Sequence, residues 1–194
     1  MERVQADDRR GATPEQGARL LVVAVMGLPG AGKSLVAGAL ERQLGLRRVC
    51  RDAIRQAMFP QCDYTFLEKR AAFRGLMLAL EINCLLGASS VIDGMTFSRR
   101  QDYDQVAALA AAHGADLLPL LIDCPPDLAR ARVAQDLAAG RHAAADRDPA
   151  LVTAVALRFE APPAAALRID ARLPAADVCR LAVAEVAARL GRAA

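Results

Sequence analysis

A short apolar run that breaks into a glycine-bounded turn and passes directly into a helical pattern is compatible with few folds, and residues 20–45 have that form. Leu20-Leu21-Val22-Val23-Ala24-Val25 reads as a strand buried on both faces, Lys33 to Leu44 reads as a helix, and Gly45 is its stop signal. Between them, Gly27-Leu28-Pro29-Gly30-Ala31-Gly32-Lys33-Ser34 has the spacing G-x-x-x-x-G-K-S. Glycines let the backbone aim its N–H groups inward at phosphate oxygens, and the helix N-terminus adds partial positive charge. In that pattern Lys33 reaches the terminal phosphates and the Ser34 hydroxyl ligates magnesium, so all eight residues are expected to hold a nucleoside triphosphate. Of the 25 basic residues only Lys33 and Lys69 are lysines, and one of the two stands where a compact ammonium is wanted. The competing reading is a glycine-rich turn that only caps a helix.

Length and composition narrow the classes further. A chain of 194 residues that is 54% apolar fits one domain with a sizeable core, with an insertion small enough to be a lid. Aromatic residues are 4% and tryptophan is absent, so a base-stacking platform is not expected. A formal charge of +3 is too mild to imply nucleic acid by itself. The five cysteines, Cys50, Cys62, Cys84, Cys124 and Cys179, are odd in number, scattered and free of C-x-x-C spacing, which points to reduced thiols and a cytoplasmic location. No apolar stretch reaches membrane-spanning length, and residues 1–19 lack the apolar segment of a signal peptide and read as a flexible lead-in to a domain over 20–194.

Along the rest of the chain, strands and helices alternate. Strands are expected at 48–51, 90–93, 117–124 and 167–170. Helices are expected at 53–59, 66–86, 101–113, 125–139, 150–160 and 175–190, with Pro60 ending the first and Gly87 the second. Pro119 sits awkwardly inside the strand at 117–124. The pattern predicts an α/β fold, a five-stranded parallel sheet covered by helices on both faces, with ligands at the carboxyl ends of the strands.

Three acids close strands on that rim: Asp52, Asp93 and Asp123. Asp52 is followed at i+3 by Arg55, so a carboxylate and a guanidinium share one side of a short helix. Such a pair can take a hydroxyl proton and anchor an acceptor, or can be a local capping ion pair. Asp93 follows Val91-Ile92, the apolar-then-acid pattern that holds magnesium opposite Ser34. Arg130, Arg132, Arg141 and Arg147 surround a stretch read as a lid, about 127–149, where an arginine closing over the γ-phosphate would lower the transfer barrier. Arg130 and Arg132 lie about 200° apart on a helix, so at most one faces the nucleotide. Arg132 could instead pair with Asp136. Arg99-Arg100 either meets an acceptor or caps the following helix, and His113 and His142 are read as surface residues.

Gly27 to Ser34, Arg51-Asp52-Ala53-Ile54-Arg55, Val91-Ile92-Asp93-Gly94-Met95-Thr96-Phe97 with Arg99-Arg100, and Cys124-Pro125-Pro126 leading to Arg132 together resemble the small P-loop kinases related to polynucleotide 5′-hydroxyl kinases, zeta toxins and chloramphenicol phosphotransferases. The resemblance covers about 20–170. It implies a P-loop kinase fold with a helical and loop lid, and ATP with Mg2+ as cofactors. It also implies Asp52 as general base, Arg55 as a residue that binds the acceptor's phosphate or another polar group, Asp93 in the metal-binding position and Arg132 at the start of the lid. Together with the phosphate-loop pattern, the expected catalytic residues are Asp52, Lys33 and Arg132, the acceptor-binding residues Arg55 and Arg99, and the metal ligands Ser34 and Asp93. One departure is Asp136, which stands where polynucleotide kinases carry a second lid arginine.

The reading favoured by these features is transfer of the γ-phosphate from ATP to a hydroxyl of a small molecule. A polynucleotide or RNA 5′-hydroxyl kinase is the second enzymatic reading, disfavoured by modest charge and few aromatics. Nucleoside monophosphate kinases fit less well, because no arginine follows Asp93-Gly94 closely enough. The non-enzymatic alternative is an ATP-gated binding module, which needs Lys33 and Ser34 but has no use for a base at Asp52. No membrane partner is expected, and the acceptor, the choice of ATP over GTP and the oligomeric state are not encoded in any motif.

Overall fold

The computed structural model describes residues 19–140 and 148–191. In chain order the elements are β1 (Leu21–Met26), α1 (Lys33–Leu44), β2 (Arg47–Cys50), α2 (Arg51–Met58), α3 (Phe66–Leu85), β3 (Ser90–Asp93), α4 (Arg100–Ala112), β4 (Asp116–Asp123), α5 (Pro126–Ala138), α6 (Pro149–Leu157), β5 (Leu167–Asp170) and α7 (Ala175–Arg189). The strands form one parallel sheet in the order β2-β3-β1-β4-β5. The expected α/β architecture is therefore the observed one, with element ends within about two or three residues of the sequence reading.

Strand β1 is the centre of this arrangement. All six of its residues are buried, and their alternation divides them between two cores. Leu21, Val23 and Val25 join Val36 and Leu40 of α1, Val178, Ala182 and Val186 of α7, and Leu118, Leu120 and Ile122 of β4. Val22, Ala24 and Met26 face the other way, toward Phe73, Leu76 and Leu80 of α3 and Val106 of α4. Each fully buried Leu, such as Leu40 or Leu76, contributes about 1.5–3 kcal/mol relative to exposure.

Pro119 is accommodated by strand order. It lies beside Ala24 of β1, but β5 pairs with β4 only from Leu120 onward, so β4 is still an edge on its other flank at that point. Because β2 and β3 lie to one side of β1 and β4 and β5 to the other, chain direction across the sheet reverses at β1. The turn after β1 thus opens at the switch point, where parallel sheets leave a crevice.

Residues 1–18 of the expected lead-in lie outside the described residues. Arg19, its last residue, is described and pairs with Asp116 at 3.0 Å. No helix among the described residues is long and apolar enough to cross a membrane.

Candidate active site

The turn between β1 and α1 has a conformation that side chains would forbid. Gly27, Gly30 and Gly32 have φ of 135°, 79° and 100°. A Cβ on Gly27 would meet the Ile122 carbonyl oxygen at 2.6 Å, and one on Gly30 would meet the Ala129 carbonyl oxygen at 2.6 Å, so these two let the loop pack against β4 and α5. Gly32 differs: nothing lies within 4 Å of the position its Cβ would take. It is also the N-cap of α1, with no side-chain cap, so the first N–H groups of that helix open onto this space. An anion has both the donors and the room there.

Lys33 is 9% exposed, and its Nζ donates to the carbonyls of Gly27 (2.9 Å) and Leu28 (2.8 Å), curling the ammonium back over the loop. Ser34 Oγ donates to Asp93 Oδ1 at 2.9 Å, so α1 and the end of β3 meet as the sequence pattern requires. Asp93 is 1% exposed and also accepts from the Gly94 N–H at 2.7 Å. Its second oxygen accepts two bonds from the Arg48 guanidinium. Burial favours the neutral acid, but Arg48, Gly94 and Ser34 together outweigh it and hold the Asp93 carboxyl below the usual carboxylate range.

Arg48 was not legible as a site residue. It lies on β2, whose pairing with β3 brings Cys50 level with Asp93 and carries the long side chain across to the carboxylate. Cys50 stands in the same corner, and burial pushes its thiol up, so it is an un-ionised neighbour rather than a nucleophile.

Asp52 lies in the first turn of α2, beside this group. Its Oδ1 is 3.2 Å from Arg55 Nη2 and 3.8 Å from Arg51 Nη2, and its side chain is 23% exposed. Gly94, with φ 74°, runs directly against it: a Cβ there would sit 3.0 Å from Asp52 N and 3.1 Å from its Cγ. The candidate base and the candidate metal ligand are thus separated by the thickness of one backbone. Arg55 is 5% exposed, with its guanidinium 4.5 Å from the Tyr64 ring centroid, a stacking partner that sequence reading did not single out. Tyr64 itself has φ 55°.

The remaining candidates are placed less centrally. Arg132 on α5 donates to the Ala171 carbonyl at 2.8 Å, just past the end of β5, and not to Asp136. Burial raises the nearby Cys124 thiol, against the smaller opposing effects of the Arg132 and Lys33 charges. Arg130 is partly exposed and pairs with Asp127. Arg99 is exposed at the head of α4, outside the bonded group around Asp52. Asp123 pairs with Arg168 at 3.4 Å on the exposed edge, a structural role. The first part of the expected lid is helix α5, anchored by fully buried Ala129 and Val133. Arg141, His142 and Arg147 lie outside the described residues. His113, read from sequence as a surface residue, is half-buried, 3.8 Å from Glu81.

Hard oxygen donors at this spacing suit magnesium, which takes few protein ligands and completes its shell with phosphate and water. Ser34 Oγ and Asp93 fit that requirement, and no cluster of three or more His, Cys, Asp or Glu among the described residues suggests another metal.

The sequence profile of the AAA domain family AAA_33 matches residues 22–162. Among solved structures, the fold is similar to a gluconokinase from Sinorhizobium meliloti 1021, with 19% identity, TM-score 0.64, and 88% of this chain and 93% of that chain covered. A sugar kinase from Janibacter sp. HTCC2649 gives 20% identity and TM-score 0.63 over 86% and 94% of the two chains. An APS kinase from Mycobacterium tuberculosis, in complex with AMPPNP and APS, gives 19% identity and TM-score 0.62 over 87% and 96%. At these identities the likeness is one of fold. No protein of curated function matches the chain.

Proposed function

The chain belongs to the AAA domain family, and from that premise we propose that it is an ATP- and magnesium-dependent kinase that transfers the γ-phosphoryl group to a hydroxyl of a small molecule. One observation carries the proposal: the Asp52 carboxylate packs against Gly94, next in chain to the Asp93 that Ser34 engages. A pure nucleotide switch has no need of a carboxylate there. Small-molecule kinases among the structures of similar fold, one of them holding AMPPNP, support the same reading.

In this proposal the open space at Gly32 receives the triphosphate, and the loop N–H groups and α1 N-terminus bind its oxygens. Lys33 exchanges its two carbonyl partners for phosphate oxygens, which are stronger acceptors for an ammonium. Ser34 and Asp93 would hold magnesium, whose charge offsets that of the phosphates. Asp52 accepts the acceptor's hydroxyl proton as its oxygen bonds to the γ-phosphorus, while the bond from that phosphorus to the β–γ bridging oxygen breaks and ADP leaves. Arg55 and Tyr64 position Asp52, and Arg99 meets the acceptor from the opposite loop. Arg132 neutralises charge that develops on the transferring group. Arg48 fixes Asp93 in its ionised form.

The test is transfer of labelled γ-phosphate from ATP across antibiotics, sugars, nucleosides and 5′-hydroxyl oligonucleotides. A phosphorylated small molecule is the expected product. A product on oligonucleotides alone would establish the polynucleotide kinase reading instead, and tight ATP binding with no acceptor phosphorylated would establish the gated binding module.

A further inference from the structure

Helix α3 covers the sheet with one face, and its opposite face, apolar except for Arg74, is exposed among the described residues. At 3.6 residues per turn, Leu67, Ala71, Arg74, Leu78, Ile82 and Leu85 form one stripe. Leu67, Leu78, Ile82 and Leu85 are 76%, 58%, 46% and 70% exposed. Met58 of α2 flanks the stripe at 47% exposure, and exposed apolar side chains grouped in this way mark interaction surfaces.

The two ends of the stripe have complementary shapes. At the N-terminal end, the apolar Phe59, Phe66, Leu67 and Ala71, with Glu68, Arg70 and Arg74 among them, line a groove of about 450 Å³. At the C-terminal end, Leu85 and Leu86 protrude, 70% and 63% exposed. The two ends are about 27 Å apart along the helix. An isologous contact requires that if one site receives another, the reverse also holds in the second copy. Two copies of α3 laid antiparallel meet this requirement, with the leucines of each helix entering the groove of the other.

Charge follows the same symmetry. In that register Leu67 lies opposite Leu85 and Arg74 opposite Leu78, and Arg70 comes level with the partner copy's Glu81 on the same flank. Within one chain neither group has a hydrogen-bonded ion pair: Arg70 lies over the Phe73 ring at 5.7 Å and is 4.0 Å from Asp102, and Glu81 is 3.8 Å from His113. Each is therefore able to turn to a closer partner.

We propose that this face of α3 binds a second copy of the chain in a two-fold antiparallel dimer. The test is the mass in solution of the full chain, by sedimentation equilibrium over a micromolar concentration series. The wild type is expected to sediment as two chains. Leu78→Glu, a change at an exposed position, is expected to give one chain with unaltered far-UV circular dichroism and ATP affinity. Should that variant misfold, the charge swap decides: Arg70→Glu and Glu81→Arg each weaken the dimer, and the double variant restores it. A wild type of single-chain mass throughout the series overturns the proposal. So does a dimer that Leu78→Glu leaves intact, and so does a monomer that binds anionic lipid vesicles through this stripe.

Discussion

The two halves of the rim are built by different means. The loop after β1 and the end of β3 are held by the interior: α1 buries six of its residues, and Asp93 is 1% exposed with three separate groups donating to it. Across Gly94, α2 buries a single residue, and that residue is Arg55. Asp52 is thus positioned by its ion pair with Arg55, which stacks on Tyr64, and by contact with the Gly94 backbone, not by an apolar core of its own helix. The half proposed to grip the triphosphate is rigid because the core is rigid. The half proposed to meet the acceptor touches the core chiefly through Ile54.

The sharpest way to break this contrast is to remove one charged group from each side. Asp52→Asn is expected to lower transfer by about 10²–10⁴-fold while ATP affinity changes little, because only the proton acceptor is lost. Lys33→Ala should weaken both ATP binding and turnover. Binding isotherms with single-turnover rates distinguish the two, and a collapse of ATP binding in Asp52→Asn would move that residue to the nucleotide half.

Gly94→Ala tests the boundary itself. An added methyl would push on Asp52 at about 3 Å in a left-handed backbone, and the strain costs about 1–3 kcal/mol. The expected result is a loss of transfer larger than the loss of nucleotide affinity, read from kcat and the ATP dissociation constant. Equal losses would mean that the two halves move as one.

Arg48→Gln has the smallest expected effect on the reaction and the clearest one on stability. The Asp93 pKa is depressed in the folded chain, so its stabilising contribution is complete above the unfolded value of about 3.9 and is lost as pH falls through the folded value. Burial raises the Asp93 pKa and Arg48 is the main cause opposing it, so without Arg48 the folded pKa rises. At pH 7 the variant is then expected to lose about 1–3 kcal/mol, and the gap to wild type should narrow as pH is lowered through the carboxylate range and Asp93 becomes neutral. Denaturant midpoints at neutral and acid pH measure this. An equal gap at both would assign the loss to packing.

What could be read from sequence was local. The apolar run of β1, the glycine spacing and the strand ending at Asp93 each lie within one stretch of chain, and all elements follow from such stretches. Pairings that depend on strand order were not legible. Arg48 reaches Asp93 only because β2 is the neighbour of β3, and Arg132 meets Ala171 across 39 positions. Tyr64 over Arg55 likewise depends on how the chain turns after α2, in a backbone conformation with φ 55° that no residue type announces. The Asp52–Arg55 pair, three positions apart, was local and was found.

The N–H of Gly27 donates to the carbonyl of Thr96 at 3.2 Å, tying the first turn of the glycine loop to the segment between β3 and α4. Under the proposed function, a cargo molecule that shifts the Thr96 segment would draw on the first residue of the loop, and occupancy at either end would change the work needed to fill the other. By thermodynamic reciprocity the two affinities must shift by the same factor.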